Sequence, residues 1–91
     1  MEALYFTATW CVPCKVFGPV MENISKDIPV NKIDIEQDMA STIDYGVMSV
    51  PTVVFIKDGK EAARFLGART EDWVRDFIGE INAEEPSGSI N

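Results

Sequence analysis

Cys11 and Cys14 are the chain's only two cysteines, and two residues separate them in Thr9-Trp10-Cys11-Val12-Pro13-Cys14-Lys15. A pair so close in sequence cannot staple distant parts of a fold. In a reducing compartment such a pair is more often redox-active or metal-binding than structural. Disulfide exchange needs a thiolate nucleophile, and then a second thiol that ejects the mixed-disulfide partner. A helix opening at Cys11 would supply both. Its unpaired N–H groups and macrodipole favour negative charge at the first sulfur, and Lys15 adds a positive charge nearby. A free thiol titrates near ~8.5, and such placement lowers that value. One helical turn separates the two residues, close enough to close a small disulfide. Cys11, at the exposed tip, is expected to attack, and Cys14, further into the helix, to resolve. The competing use is half of a zinc site. That needs two more sulfur or imidazole ligands, and the chain has no histidine and no other cysteine. Only a metal or cluster shared between chains would complete it, so no metal is expected.

The elements that must hold this pair follow from the apolar pattern. Leu4-Tyr5-Phe6-Thr7-Ala8 reads as a buried strand that ends just before the motif. From Cys11 to about Lys26, Val16, Phe17, Val20, Met21, Ile24 and Ile28 recur at the spacing of an amphipathic helix. Pro13 falls in its first turn, where a missing N–H costs nothing; Pro19 lies inside it, where a kink is expected. Residues 30–35 alternate as a strand does, and 38–45 suggest a short helix closed by Gly46 in a left-handed cap. Thr52-Val53-Val54-Phe55-Ile56 is the strongest strand, β-branched almost throughout. Asp58-Gly59 then signals a tight hairpin, with residues 61–66 as the partner strand. Thr70 caps a last helix whose apolar face carries Trp73, Val74, Phe77, Ile78 and Ile81. Trp73 and the phenylalanines are expected in the core.

The order is β-α-β-α-β-β-α. Its βαβ units call for parallel strands and its hairpin for antiparallel ones. The expected fold is α/β: a mixed four-stranded sheet with helices on both faces. In such sheets, sites gather at the carboxyl ends of parallel strands and at helix N-termini. The cysteine motif falls there. Residues 1–82 form one domain, and the polar stretch 83–91, with Pro86 and Gly88, is expected to be a disordered tail.

Bulk properties narrow the function further. Ninety-one residues suffice for one small core and leave no room for a second domain. A net charge of −7 argues against nucleic acid or anionic membrane as a partner, because both reward basic patches. The N-terminus lacks the basic start and longer apolar run of a signal peptide, and no stretch approaches membrane-spanning length. A cytoplasmic monomer is the expectation.

At the level of motifs, the sequence resembles the thioredoxin family. Trp10-Cys11-Val12-Pro13-Cys14-Lys15 is similar to the family's W-C-G-P-C-K signature, and Val50-Pro51-Thr52 to its cis-proline loop ahead of a strand and a Lys-Asp-Gly hairpin. Gly67 matches a family glycine that lets substrate backbone approach, and Pro19 a family helix-kinking proline. The matches run in order from about residue 4 to residue 81; the family's N-terminal strand and helix have no counterpart. The resemblance implies a thioredoxin fold and a protein-disulfide reductase whose redox centre is the Cys11–Cys14 couple, with no bound cofactor. It implies a cis Pro51 against the disulfide, Val50 offering backbone hydrogen bonds to a substrate strand, and Trp10, Val12, Pro13 and Lys15 flanking or tuning the site. Partners implied are disulfide-containing proteins, ribonucleotide reductase among them, and a thioredoxin-reductase-type or glutathione recycling system.

Two departures stand out. Val12 replaces the family's usual glycine and adds apolar surface beside the thiol, which should shift the redox potential. Tyr5 occupies the place of the family's buried aspartate, thought to help deprotonate the resolving cysteine. Tyrosine is a poor base at neutral pH, with a reference pKa of about 10. Lys32 matches the lysine that accompanies that aspartate, and water or Glu36 is the candidate substitute. Two rival readings remain: a glutaredoxin-like, glutathione-dependent oxidoreductase, and a docking subunit that keeps the fold without the chemistry.

Overall fold

The computed structural model describes residues 1–83. Its elements are β1 (Glu2–Thr7), α1 (Val12–Ile24), β2 (Val30–Asp34), α2 (Met39–Asp44), β3 (Thr52–Lys57), β4 (Lys60–Leu66) and α3 (Glu71–Ala83). The sheet order is β2-β1-β3-β4. β1 pairs in parallel with β2, while β3 is antiparallel to β1 and β4 is antiparallel to β3. The expected order of elements is present, but only the first βαβ unit is parallel. After α2 the chain returns on the far side of β1 in the opposite direction. Of the tail expected at 83–91, Ala83 instead closes α3, and residues 84–91 lie outside the described residues.

β1 is the central strand that carries the chain to the motif, and every residue from Ala3 to Thr7 is buried. Alternation along it assigns the two faces. Ala3 and Tyr5 join Phe17, Met21 and Ile24 of α1, Val53 and Phe55 of β3, Phe65 of β4, and Val74 and Ile81 of α3. Leu4 and Phe6 face the other way with Val54 and Ile56, and Ile33, Tyr45 and Val47 cover them. The short α2 buries no side chain of its own; Tyr45, at its C-cap, and Val47 close that second face. The hairpin turn has φ of 55° at Asp58 and 78° at Gly59, the doubly positive pattern of a two-residue hairpin turn. Gly46, with φ 63°, closes α2 as its left-handed cap.

Three expected core positions differ. Val16 is 72% exposed, because the buried stripe of α1 runs through Cys14, Phe17, Met21 and Ile24 and turns Val16 outward. Trp73 and Phe77 are only partly buried; they stack on each other at the core's edge, and Arg69 caps Trp73 with its guanidinium 4.5 Å above the ring.

Candidate active site

α1 begins where β1 delivers the chain to the C-terminal edge of the parallel pair. Cys11 is its N-cap, extended in backbone (φ −88°, ψ 109°), with Pro13 within its first two positions. The cap is unusual in kind: the Cys11 sulfur takes the place a Ser or Asp oxygen would fill, accepting the Cys14 backbone N–H at 3.2 Å. That N–H and the helix dipole stabilise negative charge on Cys11 Sγ when the pair is reduced. Cys11 and Cys14 are bonded as a disulfide, with their Cα atoms 5.2 Å apart.

The expectation that the two cysteines differ in exposure is corrected. Both are 4% exposed, held in an apolar nest of Ala8, Ile35 and Val50. Tip and interior are distinguished by helix position instead: Cys11 is the cap and Cys14 lies inside the first turn.

The flanking residues fall around the disulfide. The Val50–Pro51 peptide bond is cis, and the Val50 carbonyl oxygen lies 3.7 Å from Cys11 Sγ. Pro51 is buried, and its carbonyl accepts the Gly67 N–H at 2.8 Å, joining the proline loop to the end of β4. Gly67 has φ of 90°, a conformation that glycine adopts without strain. Trp10 and Val12 are 60% and 67% exposed and form an apolar rim beside the disulfide. Pro13 and Lys15 are exposed on the same turn.

Beneath Cys14 the structure differs most from expectation. Tyr5 is 3% exposed; its hydroxyl donates to the Cys14 carbonyl oxygen at 3.2 Å, and its ring meets Phe17 edge-on at 5.8 Å. Its hydrogen is thus directed to backbone and not to either sulfur. A cleft of about 530 Å³ opens beside it, lined by Tyr5, Thr7, Ala8, Thr9, Cys14, Lys15, Gly18, Lys32, Asp34 and Gln37. Lys32 is exposed at its mouth. Glu36 is not among the lining residues: β2 ends at Asp34, and the turn that follows leaves Glu36 exposed. Among the described residues the cleft's one carboxylate is Asp34, a residue that sequence reasoning passed over. The signal was there, since Lys32 and Asp34 share one strand face two residues apart.

Among the described residues, no group of three or more His, Cys, Asp or Glu is placed to hold a metal ion. No helix among them is long and apolar enough to cross a membrane.

Comparison with known proteins adds a family. The thioredoxin family model matches residues 3–80. The chain belongs to the thioredoxin family. An H-type thioredoxin of Picea mariana is 41% identical over 78 residues, which are 82% of this chain and 62% of that protein. A thioredoxin of Chlamydia pneumoniae is 34% identical over 76 residues, 80% of this chain and 74% of that one. Against the Picea protein, then, the chain spans less than two thirds of its relative's length. Among solved structures, a mutant thioredoxin of Halobacterium salinarum NRC-1 superposes with a TM-score of 0.84 at 33% identity, covering 93% of this chain and 77% of that one. The thioredoxin of Fasciola hepatica gives 0.80 at 38% identity, covering 87% and 78%. Thioredoxins are thiol–disulfide oxidoreductases, and the thioredoxin fold here carries the Cys-X-X-Cys pair that chemistry requires.

Proposed function

We propose that the chain is a protein-disulfide reductase that cycles Cys11 and Cys14 between dithiol and disulfide. The observation that carries this reading is the seat of the pair: a disulfide at the first turn of α1, its leading sulfur on a helix N–H and beside the Val50 carbonyl. A substrate strand lies along the Val50 backbone, between the Trp10–Val12 rim and Gly67. The Cys11 thiolate attacks one substrate sulfur and expels the other as a thiolate. Cys14 then attacks Cys11 Sγ, the mixed disulfide breaks, and the second substrate sulfur leaves. Two electrons pass to the substrate, and the Cys11–Cys14 bond forms.

Substrates are proteins with accessible disulfides, ribonucleotide reductase included, and a thioredoxin-reductase-type enzyme restores the dithiol. The net charge of −7 supports partners with basic rims over nucleic acid or anionic membrane. The compartment is the cytoplasm, where thiols stay reduced, and the protein acts as a monomer. Insulin reduction driven by dithiothreitol tests the reading: Cys11→Ser abolishes it, and Cys14→Ser accumulates a mixed disulfide with substrate. Full activity in Cys11→Ser would favour a docking role. The reduction potential separates the glutaredoxin-like alternative: about −270 mV, the value of the family's namesake, marks a reductant, and about −200 mV a glutathione-coupled role.

A further inference from the structure

The dithiol cycle requires Cys14 to lose a proton as it attacks, and the structure leaves few places for that proton to go. Cys14 is 4% exposed, and Ala8, Ile35 and Val50 pack the nest around it. Apolar surroundings disfavour a standing thiolate, so the proton has to leave as the new S–S bond forms. Tyr5 is no acceptor, since its hydroxyl donates to the Cys14 carbonyl. The route out is the cleft that Cys14 lines.

That cleft exists for local reasons. Its floor is the β1–β2 pair, where Tyr5 sits opposite Lys32 and Thr7 opposite Asp34. Its roof is the first turns of α1, where Cys14 and Gly18, four residues apart, share a face. Gly18 has no side chain to fill the gap, and apart from its chain neighbours and its own helix a Cβ there would meet nothing within 4 Å. The volume of about 530 Å³ admits several waters, each occupying about 30 Å³ in the liquid. Asp34 Oδ1 accepts the Glu36 backbone N–H at 2.8 Å. Among the described residues, no hydrogen bond or ion pair engages Oδ2.

We propose that Asp34, acting through water in this cleft, accepts the Cys14 proton during resolution. The inference rests on the dithiol reading above. Bonds and charges balance: the Cys14 S–H proton passes through water to the Asp34 carboxylate, and the sulfur's electron pair forms the bond to Cys11 Sγ. The Cys11–substrate S–S bond breaks, the substrate leaves as a thiolate, and the carboxylic acid returns its proton to solvent or to that thiolate. The other titratable groups facing Asp34 are Lys15 from α1, Tyr5 from β1 and Lys32 on its own strand.

The test is stopped-flow oxidation of the reduced protein by a chromogenic aromatic disulfide. Cys11 attack releases the first coloured thiolate in a bimolecular phase, and Cys14 resolution releases the second in a phase independent of reagent concentration. Asp34→Asn keeps an oxygen for the Glu36 N–H and removes the base, so it should slow the second phase roughly tenfold or more. Asp34→Glu should return the rate to within about threefold of the parent, and Glu36→Gln should leave it unchanged. An unaltered second phase in Asp34→Asn, an equal slowing of both phases, or a failure of Asp34→Glu to restore the rate overturns the proposal. Because the reagent is a small molecule, two clear phases establish the dithiol cycle whether or not proteins are substrates. If no second phase appears in the parent protein, it is the dithiol reading that fails.

Discussion

Replacing Tyr5 by phenylalanine separates the two jobs a buried tyrosine under the active site could hold. The substitution keeps the ring on Phe17, 5.8 Å away, and removes only the hydroxyl that donates to the Cys14 carbonyl at 3.2 Å. A buried hydrogen bond of this kind contributes about 1 kcal/mol net. The loss stays near that figure because the Cys14 carbonyl lies within α1, where the residue four places on supplies a helical donor. For a domain of this size, about 1 kcal/mol lowers Tm by roughly 4–8 °C, a shift that circular dichroism melting reads on the oxidised protein. The second phase of the chromogenic assay should stay within about twofold of the parent, since the hydroxyl hydrogen is directed to backbone; a structural donor contributes none of the 10²–10⁴-fold that a positioned base does. A loss above about tenfold in that phase, with Tm little changed, would show that the hydroxyl moves the proton, and the argument for Asp34 would fall with it. The complementary variant, Tyr5→Asp, puts a carboxylate against the Cys14 turn and should speed mixed-disulfide release. It also removes a buried ring at a cost of about 3–5 kcal/mol, much of the 5–15 kcal/mol that typical domains have. Single-turnover release must therefore be followed well below its lowered Tm, and an unchanged rate there would count against any role for a carboxylate at this turn.

Three other outcomes follow from the same packing. Glu71, in the first turn of α3, accepts from Asn23 at 2.9 Å and from Arg75 at 2.9 Å, and both hold its carboxyl below the ordinary range, the Asn23 hydrogen bond most strongly. Its stabilisation is therefore present above the unfolded carboxyl range and lost as pH falls through the lower folded value, so Tm against pH should show a shallower acid decline in Glu71→Gln. Gly79→Ala, at an exposed position inside α3 with open space for a Cβ, should stabilise the domain by about 1 kcal/mol in urea denaturation. Gly18→Ala should gain less than Gly79→Ala or lose stability, because Pro19 follows it and crowds the Cβ of a helical residue before proline; equal gains would refute that reading.

Most of the architecture could be read from the sequence because its signals are local. The β-branched run at 52–56, the Asp58-Gly59 turn and the Thr70 cap each fix backbone conformation within a few residues, and the strand and helix boundaries fall within one or two residues of expectation. The cysteine motif was equally legible, since its helix N-terminus is announced by Pro13 and by the strand that ends just before it. What could not be read depends on contacts distant in sequence. The direction of β3 relative to β1 is set by which end of the central strand the returning chain reaches: Thr52 enters opposite Phe6, at the C-terminal end of β1. The burial of Cys11 depends on Val50, 39 residues away, and on Ile35. The choice between Asp34 and Glu36 turned on where β2 stops: alternation alone gives both residues the same face, and the turn after Asp34 breaks it.

The cleft below Cys14 links these points into one constraint. A proline at position 19 inside α1 favours a residue without Cβ just before it, and Gly18 meets that need. The same missing side chain, with the small Thr7 also lining the cleft, leaves the first turns of α1 undercut by solvent-accessible space. Tyr5 would otherwise seal Cys14 from any proton acceptor, since its ring fills the core side and its hydroxyl is occupied by the helix. With the undercut, a carboxylate at the end of β2 can serve through water, and no acid need be buried beneath the helix at the cost of an unpaired charge. If that is the reason for the undercut, filling it should mimic the loss of Asp34. Thr7→Leu, which adds apolar bulk at the point opposite Asp34 in the β1–β2 register, should slow the second phase while leaving the first within about twofold, an effect comparable to removing a general base of modest efficiency. An unchanged second phase in a folded Thr7→Leu protein would mean that the proton leaves by a path outside the cleft.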